Sequence, residues 1–329
     1  MEAVSPTAEC QYGLFSEVED RPSCTSPVRM IKTTASGHCC AQLDKGQDFV
    51  TSGHANGAWF GVVADGHGVH SRVIGCLRDI DWPTAMALDD PIGHAISRVE
   101  ALGETIQDGA TLSLAKVSGS SLKLSWLGDS QIRVLRSGEN CWWNSALHRA
   151  RSASEREGAR RRGVTVRGAR GERGELPLWD LEVLSPNVAT VVPSYELVLG
   201  PALRKGYEDC TPLSRCLGHN RRKTDGSLYS GLSTAPQYHS IPLSPGQTAK
   251  LIIASDGLWD VMSPEDDAWL AKPGTSAELM VEEAARRWAQ EWIYRHPESK
   301  CTGPSSPRDT TTTISEADDV SVVVWNGSG

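Results

Sequence analysis

The stretch Val62-Val63-Ala64-Asp65-Gly66-His67-Gly68 constrains this chain most, because an apolar strand stops abruptly at an acid, two glycines and a histidine. The pattern recurs as Leu251-Ile252-Ile253-Ala254-Ser255-Asp256-Gly257, and Asp318-Asp319 runs straight into the apolar strand Val320 to Trp325. Three acids at three strand ends suggest one shared site. Hard divalent cations such as magnesium or manganese take oxygen ligands, and a glycine beside a ligating acid lets a backbone carbonyl or water approach without a Cβ in the way. Without a cation, two carboxylates about 4 Å apart repel by roughly 4 kcal/mol at an effective dielectric of about 20, a large part of a domain's net stability. A single Asp-Gly after a strand also reads as an ordinary turn, and His67 alone as a hydrogen-bonded loop histidine.

Runs at Ala58 to Ala64, Thr111 to Val117, Ser121 to Leu127, Gln131 to Leu135, Lys250 to Ala254 and Val320 to Trp325 read as strands. Ser152 to Gly163 reads as a helix with Ser152 or Ser154 as N-cap and Gly163 as its stop, and Ala277 to Tyr294 as a second one. In that second helix Leu279, Ala284, Ala285, Trp288 and Trp292 form the expected buried stripe. Strand runs interrupted by separate helices predict an α+β fold of sheets covered by helices rather than a parallel βαβ array. Residues 1–30, with Pro6, Pro22 and Pro27, read as a tail or lead-in, and 31–326 as a single domain with insertions. Thr165 to Ser185 reads as a loop or irregular hairpin, and Pro297 to Thr313 as a Pro/Ser/Thr loop before the last strand.

The formal charge of −8 argues against a general nucleic-acid binder, although nine arginines face only three glutamates between Arg149 and Arg173. That run reads either as a solvated helix face or as a docking surface for an acidic or phosphorylated partner. The nine cysteines lack CxxC spacing and predict buried thiols in a reducing, cytoplasmic compartment. No apolar run long enough for a membrane span is present, and the chain does not start like a signal peptide. There is no GxSxG elbow and no GxxxxGK spacing, and water is the expected nucleophile.

Seven strings in order carry a family resemblance: Gln47-Asp48, Val63-Ala64-Asp65-Gly66-His67-Gly68, Gly109-Ala110-Thr111-Leu112, Leu127-Gly128-Asp129-Ser130, Leu213-Ser214-Arg215-Cys216-Leu217-Gly218, Ala254 to Asp260, and Asp318-Asp319-Val320-Ser321-Val322. With them the chain resembles the metal-dependent type 2C protein serine/threonine phosphatases, the PPM family. The resemblance implies a central antiparallel β-sandwich flanked by helices on both faces, with a flap at about 195–236 beside the active site. It implies hydrolysis of phosphoserine and phosphothreonine in protein substrates by a water activated between two manganese or magnesium ions.

On that resemblance Asp65 bridges both ions and Asp256 and Asp318 complete the first. The Gly66 carbonyl and the Gln47-Asp48 pair serve the second, and Asp129 is the candidate for a third. His67 is the candidate general acid for the departing oxygen. The family's phosphate-gripping arginine is missing upstream of Gln47, with Lys45 as the nearest substitute. Gln47 stands where an acid is often found, and His219 where the family has an aspartate. A catalytically weak relative that binds phosphoproteins is the competing reading. Retention of Asp65, Asp256 and Asp318 favours the enzyme.

Overall fold

The computed structural model describes residues 29–33, 38–42, 45–68, 72–102, 106, 108–168, 179–201, 208–219, 221–222, 228–229, 231–295, 310–313 and 317–328. Nearly all of the expected lead-in, much of the loop after Pro297, and Arg170 and Arg173 of the basic run lie outside these residues. Two antiparallel sheets form the centre. One has the order Arg29–Thr33, His38–Gln42, Val320–Ser328, Thr248–Ala254, Gln131–Arg136 and Trp143–Asn144. The other runs Gln237–Pro242, Ser121–Leu127, Leu112–Ser118, Ala58–Ala64 and Phe49–Ala55.

The two-residue period of the strands divides the core into three layers. Trp59 and Val63 point inward and meet Leu251, Ile253 and Val323 of the other sheet. Gly61 lies between them, where a Cβ would come within 2.7 Å of Val323 Cγ1, so glycine is what lets the sheets approach there. The alternate residues Phe60, Val62 and Ala64 pack instead with Val73, Ile74, Ile92, Ala95 and Val99 from the helices Arg72–Arg78 and Pro91–Glu100. On the far side Ile252, Ala254, Val320 and Val322 pack against Met280, Val281, Ala284 and Trp288 of the helix Ala277–Trp288. The result is helix, sheet, sheet, helix. Each fully buried aliphatic side chain in these layers contributes roughly 1.5–3 kcal/mol of transfer free energy.

Local chemistry sets the ends of the elements. Asn56 and Gly57, at φ of 51° and 75°, make the tight two-residue turn between Phe49–Ala55 and Ala58–Ala64. The Asp90 carboxylate accepts from Gly93 N and caps Pro91–Glu100, while the Ser276 hydroxyl accepts from Leu279 N and caps Ala277–Trp288. Ser152 is the N-cap residue of Ala153–Arg161, and Gly163 follows that helix at φ 81°.

Four expectations are corrected. The last helix ends at Trp288, and Glu291–Arg295 is a strand paired with Thr310–Thr313. Its aromatic and β-branched Trp292, Ile293 and Tyr294 favour extended backbone, and the buried Trp292 donates its indole N–H to Arg287 O. Leu279 is exposed, and the inward helix face carries Met280, Val281 and Arg287 instead. Finally, Thr165–Gly168 and Trp179–Ser185 do not pair as a hairpin but lie in separate small sheets. The first strand starts at Arg29, inside the expected lead-in. No helix among the described residues is long and apolar enough to cross a membrane.

Candidate metal centre

The sandwich delivers its acids from strand ends. Asp65 follows Ala58–Ala64 directly, with its N–H donating to Thr111 Oγ1 at 3.1 Å and its C=O accepting from Thr111 N at 2.9 Å. Thr111 Oγ1 lies 2.6 Å from Ser130 Oγ, and this pair ties Asp65 to the turn that carries Asp129. Asp256 opens a one-turn helix after Thr248–Ala254. There Ser255 N donates to Ser321 O and Ser321 N to Ser255 Oγ, both at 3.0 Å, which sets Asp256 beside the start of the last strand. Gly257 is required at this crossing, since a Cβ would lie 2.0 Å from Asp319 O.

Carboxylate oxygens of Asp65, Asp129 and Asp256 lie within 4.8 Å of one another. Burial, then the neighbouring Asp256 and Asp48, push the Asp65 carboxyl well above its usual range. Burial and Asp129 raise Asp256, against the opposing pull of Arg149. Asp318 is raised by burial and by Asp256, while Lys45 Nζ donates to its Oδ2 at 2.9 Å and opposes the shift. Asp48 is buried beside Asp319, and burial followed by that charge raises it well above the ordinary value. The sequence-derived acids therefore come together, although Asp48 turns toward Asp319, Ser321 and Ser255.

Two residues that sequence reasoning passed over organise the centre. Asp319 is 1% exposed and accepts from Gln47 N at 2.7 Å and Lys45 N at 3.4 Å, anchoring the segment that carries Asp48. Its signal was the Asp-Asp doublet, of which only the first member was assigned. Arg149 was read as part of a basic surface. Its Nε instead donates to Asp129 Oδ2 at 2.6 Å, and one terminal nitrogen reaches Asp256 Oδ2 at 3.0 Å and Asp260 Oδ1 at 3.5 Å. Of the basic run, Arg149 therefore faces inward and Arg156 lies over the Tyr195 ring, while Arg160, Arg161 and Arg162 are exposed.

His67 pairs with Gly109 across a short strand and stacks on His219, with ring centroids 4.8 Å apart and planes at 19°. Burial, then Lys45, lower its pKa to about 4, so the imidazole is neutral at pH 7. Lys45, named as the phosphate-binding candidate, is half exposed and paired with Asp318. Gly66 packs so tightly that a Cβ would lie 2.4 Å from Ile74 Cγ1 and 2.6 Å from Gln47 O.

These residues fit a hard divalent cation. Asp256 Oδ1 and Asp48 Oδ2 are buried carboxylate oxygens without a hydrogen-bond partner among the described residues, which is costly unless a cation supplies the missing interaction.

Residues 205–300 match the family described as Protein phosphatase 2C, a span that contains Asp256 but none of the other acids expected as ligands. No curated protein sequence matches the chain. Among solved structures, the chain is similar to a C. elegans sex determining protein at TM-score 0.52 and 17% identity, over 90% of this chain and 64% of that one. The chain thus spans less than two thirds of that relative's length. It also matches serine-threonine phosphatase 2C from Toxoplasma gondii, at TM-score 0.49 and 18% identity over 89% and 90% of the two chains. A PPM Ser-Thr phosphatase from Mycobacterium smegmatis in complex with cacodylate matches at TM-score 0.45 and 17% identity, over 91% and 100%. The sequence match to the phosphatase 2C family thus covers a minor part of the chain, residues 205–300, and the likeness to the C. elegans protein is one of fold.

Proposed function

We propose that the chain is a metal-dependent protein serine/threonine phosphatase that hydrolyses phosphoserine and phosphothreonine by direct attack of water. The convergence of Asp65, Asp129 and Asp256, with a buried Asp256 oxygen that has no hydrogen-bond partner among the described residues, is the observation that carries this reading. Asp65, Asp256 and Asp318 would hold one manganese or magnesium ion, and Asp65, the Gly66 carbonyl and Asp48 with Gln47 a second. Divalent cations bound there supply a water of lowered pKa and neutralise charge on the phosphoryl oxygens.

The remaining work falls to side chains. Lys45 bridges to Asp318 on a flexible stem at the solvent edge, from which its ammonium can turn to a phosphate as a point charge. His67 stands two residues from Asp65. It is neutral in the resting protein and would take up a proton beside a dianionic phosphate, then pass it to the departing serine or threonine oxygen. Thr111 and Ser130 hold Asp65 and the Asp129 turn in register.

A second reading, a catalytically weak phosphoprotein-binding module, draws on the pairing of Lys45 and Arg149 with the same acids. Hydrolysis of a phosphothreonine peptide with and without manganese separates the two. Turnover that needs manganese and is lost in Asp65→Asn and Asp256→Asn supports the enzyme. Cation-independent turnover, or full activity in those variants, overturns it.

A further inference from the structure

We infer that Arg149 is a built-in cation of the acidic centre: its guanidinium occupies the place a third divalent ion would take among Asp129, Asp256 and Asp260, leaving room for two ions. The inference rests on the metal-dependent reading above and fixes the number of ions that the centre accepts.

The guanidinium contacts all three acids, at 2.6 Å, 3.0 Å and 3.5 Å, and its side chain is only 18% exposed. It cannot be emptied of charge, because a guanidinium does not lose its proton in a protein. Nor is it a loose arm. His148 N donates to Gly128 O at 2.9 Å, and Gly128 N donates to His148 Nδ1 at 3.0 Å. On the other side Ala150 N donates to Pro212 O at 2.6 Å, and Ser214 N donates to His148 O at 2.8 Å. The backbone at Arg149 is thereby clamped between the Asp129 turn and the segment that leads to Arg215.

The oxygens it uses are committed. Asp129 Oδ2 and Asp256 Oδ2 already accept from Arg149, and a divalent ion on the same oxygens would face a fixed positive charge. Within the acidic centre, the buried carboxylate oxygens without a hydrogen-bond partner among the described residues are Asp256 Oδ1 and Asp48 Oδ2, neither of which Arg149 touches. The cation demand that remains is the demand of Asp48, Asp65, Asp256 and Asp318. The expected third ion at Asp129 is thus replaced by a side chain.

The test is the number of manganese ions bound at saturation by the full chain near neutral pH, from equilibrium dialysis with free manganese read by electron paramagnetic resonance. The wild type is expected to bind two ions and Arg149→Met three, with the extra ion lost again in Arg149→Met combined with Asp129→Asn. Three ions in the wild type, or an unchanged count in Arg149→Met, overturns the role of Arg149 while leaving the metal centre in place. A wild type that binds none overturns the metal-dependent reading itself and this inference with it. Should Arg149→Met fail to fold, as judged by circular dichroism, Asp129→Asn alone decides. An unchanged count of two supports Arg149 as the resident cation, and the loss of an ion refutes it.

Discussion

Asp65→Asn should change the sign of its effect on stability with the metal content of the solution. Asp65 shares its site with Asp129 and Asp256, all within 4.8 Å, and a pair of charges at that distance repels by about 3.5 kcal/mol at an effective dielectric of about 20. The full penalty is not expressed. Arg149 compensates Asp129 and Asp256, and the raised pKa of Asp65, caused by burial and then Asp256, lets the carboxyl escape partly by binding a proton. A net relief of about 1–3 kcal/mol on removing the charge is the consistent magnitude, or about 2–6 °C in Tm at roughly 2 °C per kcal/mol for a large domain. A carboxyl raised in the folded state contributes stability below its ordinary value near 3.8 that is lost as pH rises through the raised value, so the gain from Asn grows toward alkaline pH. With manganese at a hundred times its dissociation constant the wild type gains about 2.7 kcal/mol, which the variant forgoes in large part. Thermal unfolding with chelator and with manganese measures both. A variant less stable than wild type in chelator, together with a wild type indifferent to manganese, would refute the reasoning.

Further outcomes follow from other residues. Gly257→Ala places a Cβ 2.0 Å from the Asp319 carbonyl oxygen, so it should cost about 1–3 kcal/mol or more in urea unfolding and weaken manganese binding by displacing Asp256. Arg287→Met removes the 4% exposed guanidinium that binds Asp266 and Glu283, and should cost about 3 kcal/mol in chemical denaturation by leaving Asp266 short of its partner. Burial pushes the Asp266 carboxyl up, but the bonds from Arg287 and Ser263 outweigh it and hold it below the usual range. The contribution of this pair is therefore full above the ordinary carboxylate pKa and lost as pH falls through the depressed one, so the gap between wild type and Arg287→Met should narrow in acid. His67→Ala should lose about a hundredfold or more in turnover on phosphothreonine peptide and far less on an aryl phosphate, whose leaving group needs no proton. Equal losses on both would exclude His67 as proton donor.

The two-sheet core was legible because its strands are apolar runs that end at Asp-Gly or begin after Asp-Asp, and the inward and outward sets alternate with the pleat. The strand Glu291–Arg295 was not. Its Trp292, Ile293 and Tyr294 continue the helical spacing of the preceding residues, and only burial of Trp292 against the sheet layer decides for extended backbone. Which acid of Asp318-Asp319 faces the centre depends on the Lys45 to Gln47 segment, whose amides claim Asp319, and no local pattern encodes that pairing. Arg149 was concealed by its neighbours. A run of arginines reads as a solvated face, and only the folded chain shows that its first member turns in to meet acids far apart in sequence.

The most direct test of the metal-centre account is a crystal structure of the protein grown with manganese, with the ions located by their anomalous scattering. The account predicts two peaks sharing Asp65, one also bound by Asp256 and Asp318, and the Arg149 guanidinium still on Asp129. Peaks absent from this cluster, or bound to other residues, would contradict it.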